Sequence, residues 1–230
     1  MAPGIPEIGR PVSRPDAAAK VTGAEKYAAD HYGEGLLWAG VRRAGIPHGR
    51  ILAIDTDAAK SLPGVVAVLT GRDVPGTNRQ GIVHKDQPVL CTDKVRHCGD
   101  AVALVVAEDR ATLAQALARI RVAIDPLPGV FGIDDALAAD APLVHEEHES
   151  GNVLLAAEIR KGDAVAALAV SDIVVEETFA VPMVAHAFLE TENGVGRQDP
   201  DGRIVLTVST QAPFRDRWEI GHALGLPMER

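Results

Sequence analysis

The sequence contains few aromatic residues, few cysteines and comparatively few basic residues. Aromatics make up 3% of its 230 residues, which argues against a stacking surface for single-stranded nucleic acid. Two cysteines are too few for a disulfide scaffold, so we expect reduced thiols. Lys and Arg number 23 against 32 Asp and Glu, and the resulting formal charge of -9 disfavours nucleic acid as a partner.

Long hydrophobic runs are also missing. The longest apolar stretches, such as Ala101–Ala107, have the length of a strand and are too short to span a bilayer. The opening residues have no basic segment followed by an apolar one, as a secretory signal would. We therefore expect a soluble cytoplasmic protein without membrane contact. Its hydrophobic content of 47% allows a real core in one or two domains.

Several familiar catalytic and nucleotide-binding motifs do not occur in the sequence. It has neither G-x-G-x-x-G after a strand nor G-x4-G-K-[ST], so dinucleotide-binding and P-loop folds are not supported. G-x-S-x-G and H-E-x-x-H are missing too, which weakens assignment as a serine hydrolase or a zinc protease.

Three strand–helix–strand patterns organise much of the chain. Short apolar runs bounded by Gly and Pro predict the strands, and apolar residues at helical spacing predict the helices. The predicted elements are Ile51–Asp55, Asp57–Ser61 and Val65–Leu69; Ala101–Ala107, Asp109–Ile120 and Arg121–Asp125; and Val153–Ile159, Asp163–Val170 and Ile173–Phe179. This recurrence indicates a mixed α/β or α+β fold.

The segments around these patterns differ in character. Four prolines before Tyr32 predict an extended arm, which is followed by a strand over Leu36–Val41. The stretch from Leu127 to Asn152 is rich in Pro, Gly and acids, and we interpret it as a linker. Beyond it, the sequence predicts a turn at Asp199–Gly202, then a strand over Ile204–Ser209 and a helix over Pro213–Leu224.

Two groups of residues have the composition of a metal site. Cys91 and Cys98, with His84 and His97 nearby, lack the C-x2-C spacing of a tight zinc site, so we disfavour zinc there. The run His145–Glu149 could bind a divalent metal in principle, but its place in a linker favours a solvated acidic loop. The sequence therefore predicts no metal ligands.

The C-terminal third contains two candidates for chemistry. His186 and Glu190 are four residues apart, and on a helix they could form an acid–base pair or ligate a metal. The simpler interpretation is that His186 is hydrogen-bonded at the start of a strand and that Glu190 holds a backbone turn. Gln211 follows Ser209 and Thr210 between a predicted strand and helix. Its neutral amide can donate one hydrogen bond and accept another, although such a position is often an ordinary capping turn.

The segments together resemble the molybdenum-binding large subunit of the xanthine dehydrogenase and aldehyde oxidoreductase family. The resemblance begins with an R-x-D-x3-K-x2-G-x3-Y-x2-D pattern and continues through HGRILAIDTDAAKSLPGVVAVLTGRDVPG, DKVRHCGDAVALVVAEDRATLAQAL, HAFLET and VSTQAPFRDR. The opening pattern is formed by Arg14, Asp16, Lys20, Gly23, Tyr27 and Asp30. The matches cover nearly the whole chain in order.

The resemblance implies an extended arm over residues 1–19, an a/b hammerhead domain over 20–127, a linker over 128–151, and the beginning of a molybdopterin-binding domain with a mixed sheet over 152–230. It also implies hydroxylation of an N-heterocycle or aldehyde carbon with water as the oxygen source. Gln211 matches a family glutamine near the molybdenum, while His186 and Glu190 match a framework motif with a structural or supporting role.

Other family features match no part of this sequence, and these include the glycine-rich stretch, the catalytic glutamate and most pterin contacts. We therefore expect no catalytic base here, a molybdenum–molybdopterin cofactor shared with downstream sequence or a partner chain, and iron–sulfur and FAD groups in partner subunits. By itself the chain should be inactive. The alternative is a non-catalytic module that docks partner subunits.

Overall fold

The computed structural model describes Gly9 and residues 11–31, 33–188 and 190–230. These residues form two compact units. One contains Leu37–Ala187 and Glu219–Leu226, and the other contains the described residues up to Leu36 with Phe188–Trp218 and Pro227–Arg230. No helix in the described ranges is long and apolar enough to cross a membrane.

The strands and helices alternate irregularly along the chain. The strands are β1 (Trp38–Arg43), β2 (Gly49–Asp55), β3 (Val65–Thr70), β4 (Lys94–Val95), β5 (Ala101–Ala107), β6 (Arg121–Pro126), β7 (Gly194–Gln198) and β8 (Ile204–Val208). The α-helices are α1 (Ala17–Thr22), α2 (Asp57–Lys60), α3 (Arg110–Arg119), α4 (Ile133–Leu137), α5 (Ala164–Ala169) and α6 (Pro213–Leu224). Mixed helices and sheets confirm the predicted fold class.

Six of the strands form two three-stranded antiparallel sheets, in the orders β1-β5-β3 and β4-β2-β6. In the first two predicted strand–helix–strand units, the strands that flank the helix lie in different sheets. A parallel crossover needs a dozen or more residues between its strands, and α2 has only four. These units therefore build an α+β arrangement rather than a parallel sheet.

Strand β5 lies at the centre of the core and is buried on both faces. Ala103 and Val105 join one hydrophobic cluster, in which α2, α3 and β3 also take part. Val102 joins a second cluster that residues of β2 and β6 pack against. Burial on both faces explains why β5 appears in the sequence as a continuous apolar run rather than as an alternating pattern.

Helix α3 packs as its periodicity predicts. Ala116 and Ile120 lie in the core, and Leu113 and Leu117 pack against it. The helix approaches β1 closely at Gly40, where a Cβ atom would come within 3.1 Å of Leu113 Cδ2. A larger residue at this position would push the helix away from the sheet.

The third predicted strand–helix–strand unit forms only its helix. Helix α5 is capped by Asp163, whose carboxylate accepts a hydrogen bond from Ala166 N at 3.0 Å. The predictions of strands over Val153–Ile159 and Ile173–Phe179 are wrong, because neither segment pairs with a strand in the described part of the chain. Their apolar side chains stay largely exposed, with Val175 at 78% and Phe179 at 89%.

The opening motif of the sequence stabilises local backbone structure. Asp16 pairs with Arg14 at 2.6 Å and with Lys20 at 2.9 Å, and the hydrogen bond from Arg14 holds the Asp16 pKa well below its usual range. Gly23 ends α1 with φ of 72°, in the left-handed region. The predicted arm is therefore not extended throughout, since α1 begins at Ala17. Residues 1–8, Arg10 and Tyr32 lie outside the described residues.

Candidate cofactor site

The segment with Gln211 follows a β-hairpin. Strands β7 and β8 pair antiparallel with Gly194 opposite Val208, and the predicted turn between them forms, with Gly202 N donating to Asp199 O. Strand β8 and helix α6 have nearly the predicted bounds. Residues 209–212 connect the end of this strand to the start of the helix.

The residues on both sides of Gln211 are held by hydrogen bonds. The Ser209 hydroxyl donates to Glu190 Oε2 at 3.0 Å. The Thr210 hydroxyl donates to the Asp216 carboxylate and accepts from Ala212 N at 3.0 Å. Asp216 was not identified from the sequence, although an acid in the first turn of a helix is a recognised signal.

Gln211 itself remains available for a ligand. Its side chain is exposed and forms no hydrogen bond with the described part of the chain. Because the neighbouring hydroxyls already have acceptors, the Gln211 amide is the polar side-chain group of this turn that is free to contact a cofactor. An amide can donate and accept without adding charge.

His186 and Glu190 do not share a helical face. The segment 181–188 forms neither a helix nor a strand, and Ala187 has a positive φ of 50°, whereas helical spacing requires regular negative φ. Glu190 lies in a bend and accepts the hydrogen bond from Ser209. A supporting role for Glu190 is consistent with this contact, and the assignment of both residues stays a prediction.

The two cysteines lie in different environments. Cys91 is buried in the core and Cys98 is exposed, and both are free thiols. Burial, assisted by the charge of Asp100, raises the pKa of Cys91 to about 12. Among the described residues, no metal-competent group of three side chains includes either thiol.

The interpretation of His145–Glu149 as a solvated acidic loop is wrong for its histidines. The side chains of His145 and His148 are only 21% and 11% exposed, while the acidic side chains of this run remain exposed. Burial, and then the charge of Arg96, lower the pKa of His145. The segment is turned inward because the side chains of Lys94 and Arg96 bind its backbone carbonyl at Val144, a long-range contact that local sequence does not reveal.

Two family models match the chain. Residues 22–128 match the a/b hammerhead domain of aldehyde oxidase and xanthine dehydrogenase, and residues 144–230 match the molybdopterin cofactor-binding domain. The domain boundaries predicted from the sequence, at residues 19, 127 and 151, stay predictions.

Curated relatives from bacteria have similar sequences. The nicotinate dehydrogenase large molybdopterin subunit of Eubacterium barkeri is 39% identical over 220 residues, which are 96% of this chain and 51% of that subunit. A probable xanthine dehydrogenase subunit of Bacillus subtilis is 40% identical over 217 residues, which are 94% of this chain and 29% of the relative. The chain thus spans about half the length of the first relative and less of the second.

Solved structures agree with these matches. The aldehyde oxidoreductase from Desulfovibrio gigas superimposes with a TM-score of 0.84 at 30% identity, covering 94% of this chain and 25% of that one. Quinoline 2-oxidoreductase from Pseudomonas putida 86 gives a TM-score of 0.81 at 29% identity, covering 95% of this chain and 29% of that one.

The fold, the ordered motifs and these matches together place the chain in the class of proteins that have a molybdopterin cofactor-binding domain. The chain belongs to the xanthine dehydrogenase and aldehyde oxidoreductase family, and it matches the N-terminal portion of the molybdenum-binding subunit.

Proposed function

We propose that the chain is a component of a molybdenum hydroxylase that oxidises a carbon of an N-heterocycle or an aldehyde, with water as the oxygen source. Support for this substrate class comes from relatives named for nicotinate, xanthine, aldehyde and quinoline chemistry. When bound, a molybdenum–molybdopterin group would supply the redox chemistry and an activated oxygen nucleophile.

Within this chain, the Gln211 amide is the group that we assign to the cofactor. One observation carries the assignment: the Gln211 amide has no hydrogen-bond partner among the described residues, whereas the side chains of the two preceding residues are engaged. Ser209 is hydrogen-bonded to Glu190, and Thr210 is hydrogen-bonded to Asp216. The held backbone of this turn restricts where the amide can reach, and a neutral amide there can orient a ligand without adding charge. Glu190 supports this turn through Ser209, and we assign no general base to the chain.

We infer further that the remaining part of the molybdopterin-binding domain, from the same polypeptide or from another, covers the exposed segment 153–188. Many of its apolar side chains are largely exposed, and these include Ile159, Ile173, Val175, Phe179 and Met183. Apolar patches of this kind mark interaction sites. The relatives, of which this chain spans half or less, contain sequence that could supply the cover.

Iron–sulfur clusters would then belong to partner subunits, because the usual clusters need four thiolates and this sequence has two cysteines. We assign FAD to a partner subunit as well. A cytoplasmic location completes the proposal. Free thiols at Cys91 and Cys98 are compatible with a reducing compartment.

The test is to produce the chain with the products of neighbouring reading frames and to measure molybdenum content and turnover of nicotinate, xanthine and an aldehyde. We expect Gln211→Ala to lower kcat/KM by roughly 100-fold, the size of effect that loss of one hydrogen-bond donor at a reacting group has elsewhere, with molybdenum content retained. Gln115→Ala, at an exposed position on α3, is the matched control. Full activity of Gln211→Ala would contradict the assignment of Gln211 to the cofactor. A purified complex without molybdenum would favour the alternative, a non-catalytic module that docks partner subunits.

A further inference from the structure

Three metal-competent side chains from two distant segments converge within the larger unit. Asp86 comes from the loop before β4, and His145 and His148 come from the segment after α4. His148 Nε2 lies 3.2 Å from Asp86 Oδ2, and His145 Nδ1 lies 3.9 Å from the same oxygen. One ligand atom from each residue lies within 4.8 Å of the other two.

These distances suit a shared cation better than direct hydrogen bonds from both histidines. His145 Nδ1 is buried and has no hydrogen-bond partner among the described residues. Its nearest carboxylate oxygens, on Glu147 and Asp86, lie at 3.6 and 3.9 Å, beyond hydrogen-bond range. Two donors bound to one tetrahedral zinc ion at 2.0–2.2 Å are about 3.3 Å apart, so small side-chain movements would complete the geometry.

The segment with the histidines is held in place by contacts that do not involve the cluster. Lys94 Nζ donates to Leu143 O at 3.2 Å and to Val144 O at 3.1 Å. Asn152 accepts from Val144 N at 3.0 Å and donates to Ala136 O at 3.1 Å. Such outer contacts preorganise metal ligands, because they fix the backbone from which the ligands project.

The loop with Asp86 is also constrained. Gln80 and Gln87 exchange two backbone hydrogen bonds, at 2.8 and 3.1 Å, and so close the loop that contains Asp86. The centroid of the His148 ring lies 4.8 Å from that of His145 and 4.5 Å from that of His84. The cluster borders a cavity of about 630 Å³ that gives an ion access.

Charge and donor type favour a divalent transition metal. Two imidazoles and a carboxylate suit zinc and similar ions, whereas calcium and magnesium prefer oxygen ligands alone. Glu147 Oε1, 3.6 Å from His145 Nδ1, is within reach as a fourth ligand and would bring the carboxylate charge to two. Arg79 lies 3.9 Å from Glu147 and would have to release it.

We propose that Asp86, His145 and His148 bind one divalent transition-metal cation of the zinc type. The ion clamps residues 143–152 to the loop at Gln80–Gln87. Its role is structural, since it joins two segments far apart in sequence.

The test is titration of the full chain, purified with a chelator, with zinc ion alone by calorimetry, and with cobalt ion by visible absorption. We expect one equivalent to bind and the cobalt spectrum to show tetrahedral or five-coordinate nitrogen and oxygen ligands. Asp86→Asn and His148→Ala should each weaken zinc binding by roughly 100-fold or more, since even supporting residues of a metal ligand are worth 10–100-fold.

Glu149→Gln and Cys98→Ser are the controls, and both should bind zinc like the parent chain. The first removes an exposed charge from the same run, and the second removes the exposed thiol. Binding that survives Asp86→Asn and His148→Ala, a thiolate charge-transfer band with cobalt, or no stoichiometric binding would each overturn the proposal. Circular dichroism of each variant separates loss of the site from loss of the fold, and none of these measurements depends on molybdenum.

Discussion

Strand β5 and the segment Ile173–Phe179 have the same length and both are apolar enough to predict a strand, yet only β5 forms one. β5 pairs with β1 on one side and β3 on the other, and Val102 and Val105 are fully buried. The later segment has no strand partner within the described residues, and Val175 is 78% exposed. An apolar run therefore defines a strand only where distant sequence supplies neighbours for its backbone and both faces.

The largest effect that tests this comparison should come from a buried charge in β5. We expect Val105→Asp to lower the free energy of unfolding by about 3–5 kcal/mol, the cost of leaving a charge uncompensated in a core. Val175→Asp should change it by about 0.5 kcal/mol or less, as surface substitutions do. Urea denaturation followed by circular dichroism measures both.

Val105→Thr is the milder variant if Val105→Asp does not fold, with an expected loss of about 1–3 kcal/mol for an unpaired hydroxyl. Equal effects at positions 105 and 175 would mean that the later segment is packed in solution, contrary to the structure.

A second prediction concerns the segment 143–152. Its sequence predicts a linker, but hydrogen bonds from Lys94 and Arg96 attach it to strand β4 and the residue after it. The Lys94 side chain is 5% exposed and also pairs with Glu146 at 2.7 Å. Lys94→Met removes the donor to two carbonyls and to this carboxylate, and we expect a loss of about 2–4 kcal/mol. Hydrogen exchange should rise across residues 143–152.

The exposed Lys161 provides the comparison for this experiment. Lys161→Met should leave stability and exchange unchanged. Slow exchange of residues 143–152 in Lys94→Met would show that other contacts suffice to hold the segment.

The smallest expected effect on stability comes from a comparison of two helix caps. Asp109 caps α3 beside the core, accepting from Ala111 N at 2.8 Å and Thr112 N at 2.9 Å, whereas Asp163 caps the exposed helix α5. We expect Asp109→Ala to lower Tm by about 2–4 °C. Asp163→Ala should have a smaller effect on Tm, because α5 buries no residue.

The Asp109 cap should also depend on pH. Hydrogen bonds from the Thr112 backbone and hydroxyl lower the Asp109 pKa below its ordinary 3.8. Stability from this group is therefore present above pH 3.8 and is lost as pH falls through the lower pKa of the folded state. Thermal melts of parent and Asp109→Ala should converge in that acid range, and a constant difference would point to helix propensity instead of the cap.

Local sequence determined the elements whose signals lie within a few residues. β5 and α6 have the predicted bounds, and α3 buries its predicted face. β1 forms as well, although it begins at Trp38 rather than at the predicted Leu36. Turns, caps and helical periodicity depend on neighbours along the chain, so they can be recognised without a structure. The ordered motifs also sufficed to predict the family.

Only the tertiary structure decided the rest. It separated the strands into two antiparallel sheets, left Ile173–Phe179 unpaired, and brought Asp86 to His145 and His148 across more than fifty residues. It also showed that Ser209 and Thr210 are hydrogen-bonded to Glu190 and Asp216, whereas the Gln211 amide has no hydrogen-bond partner among the described residues. Strand pairing, burial and the convergence of metal-binding side chains all arise from contacts between distant segments. Local sequence shows which residues could be ligands, but it does not show which of them lie close together.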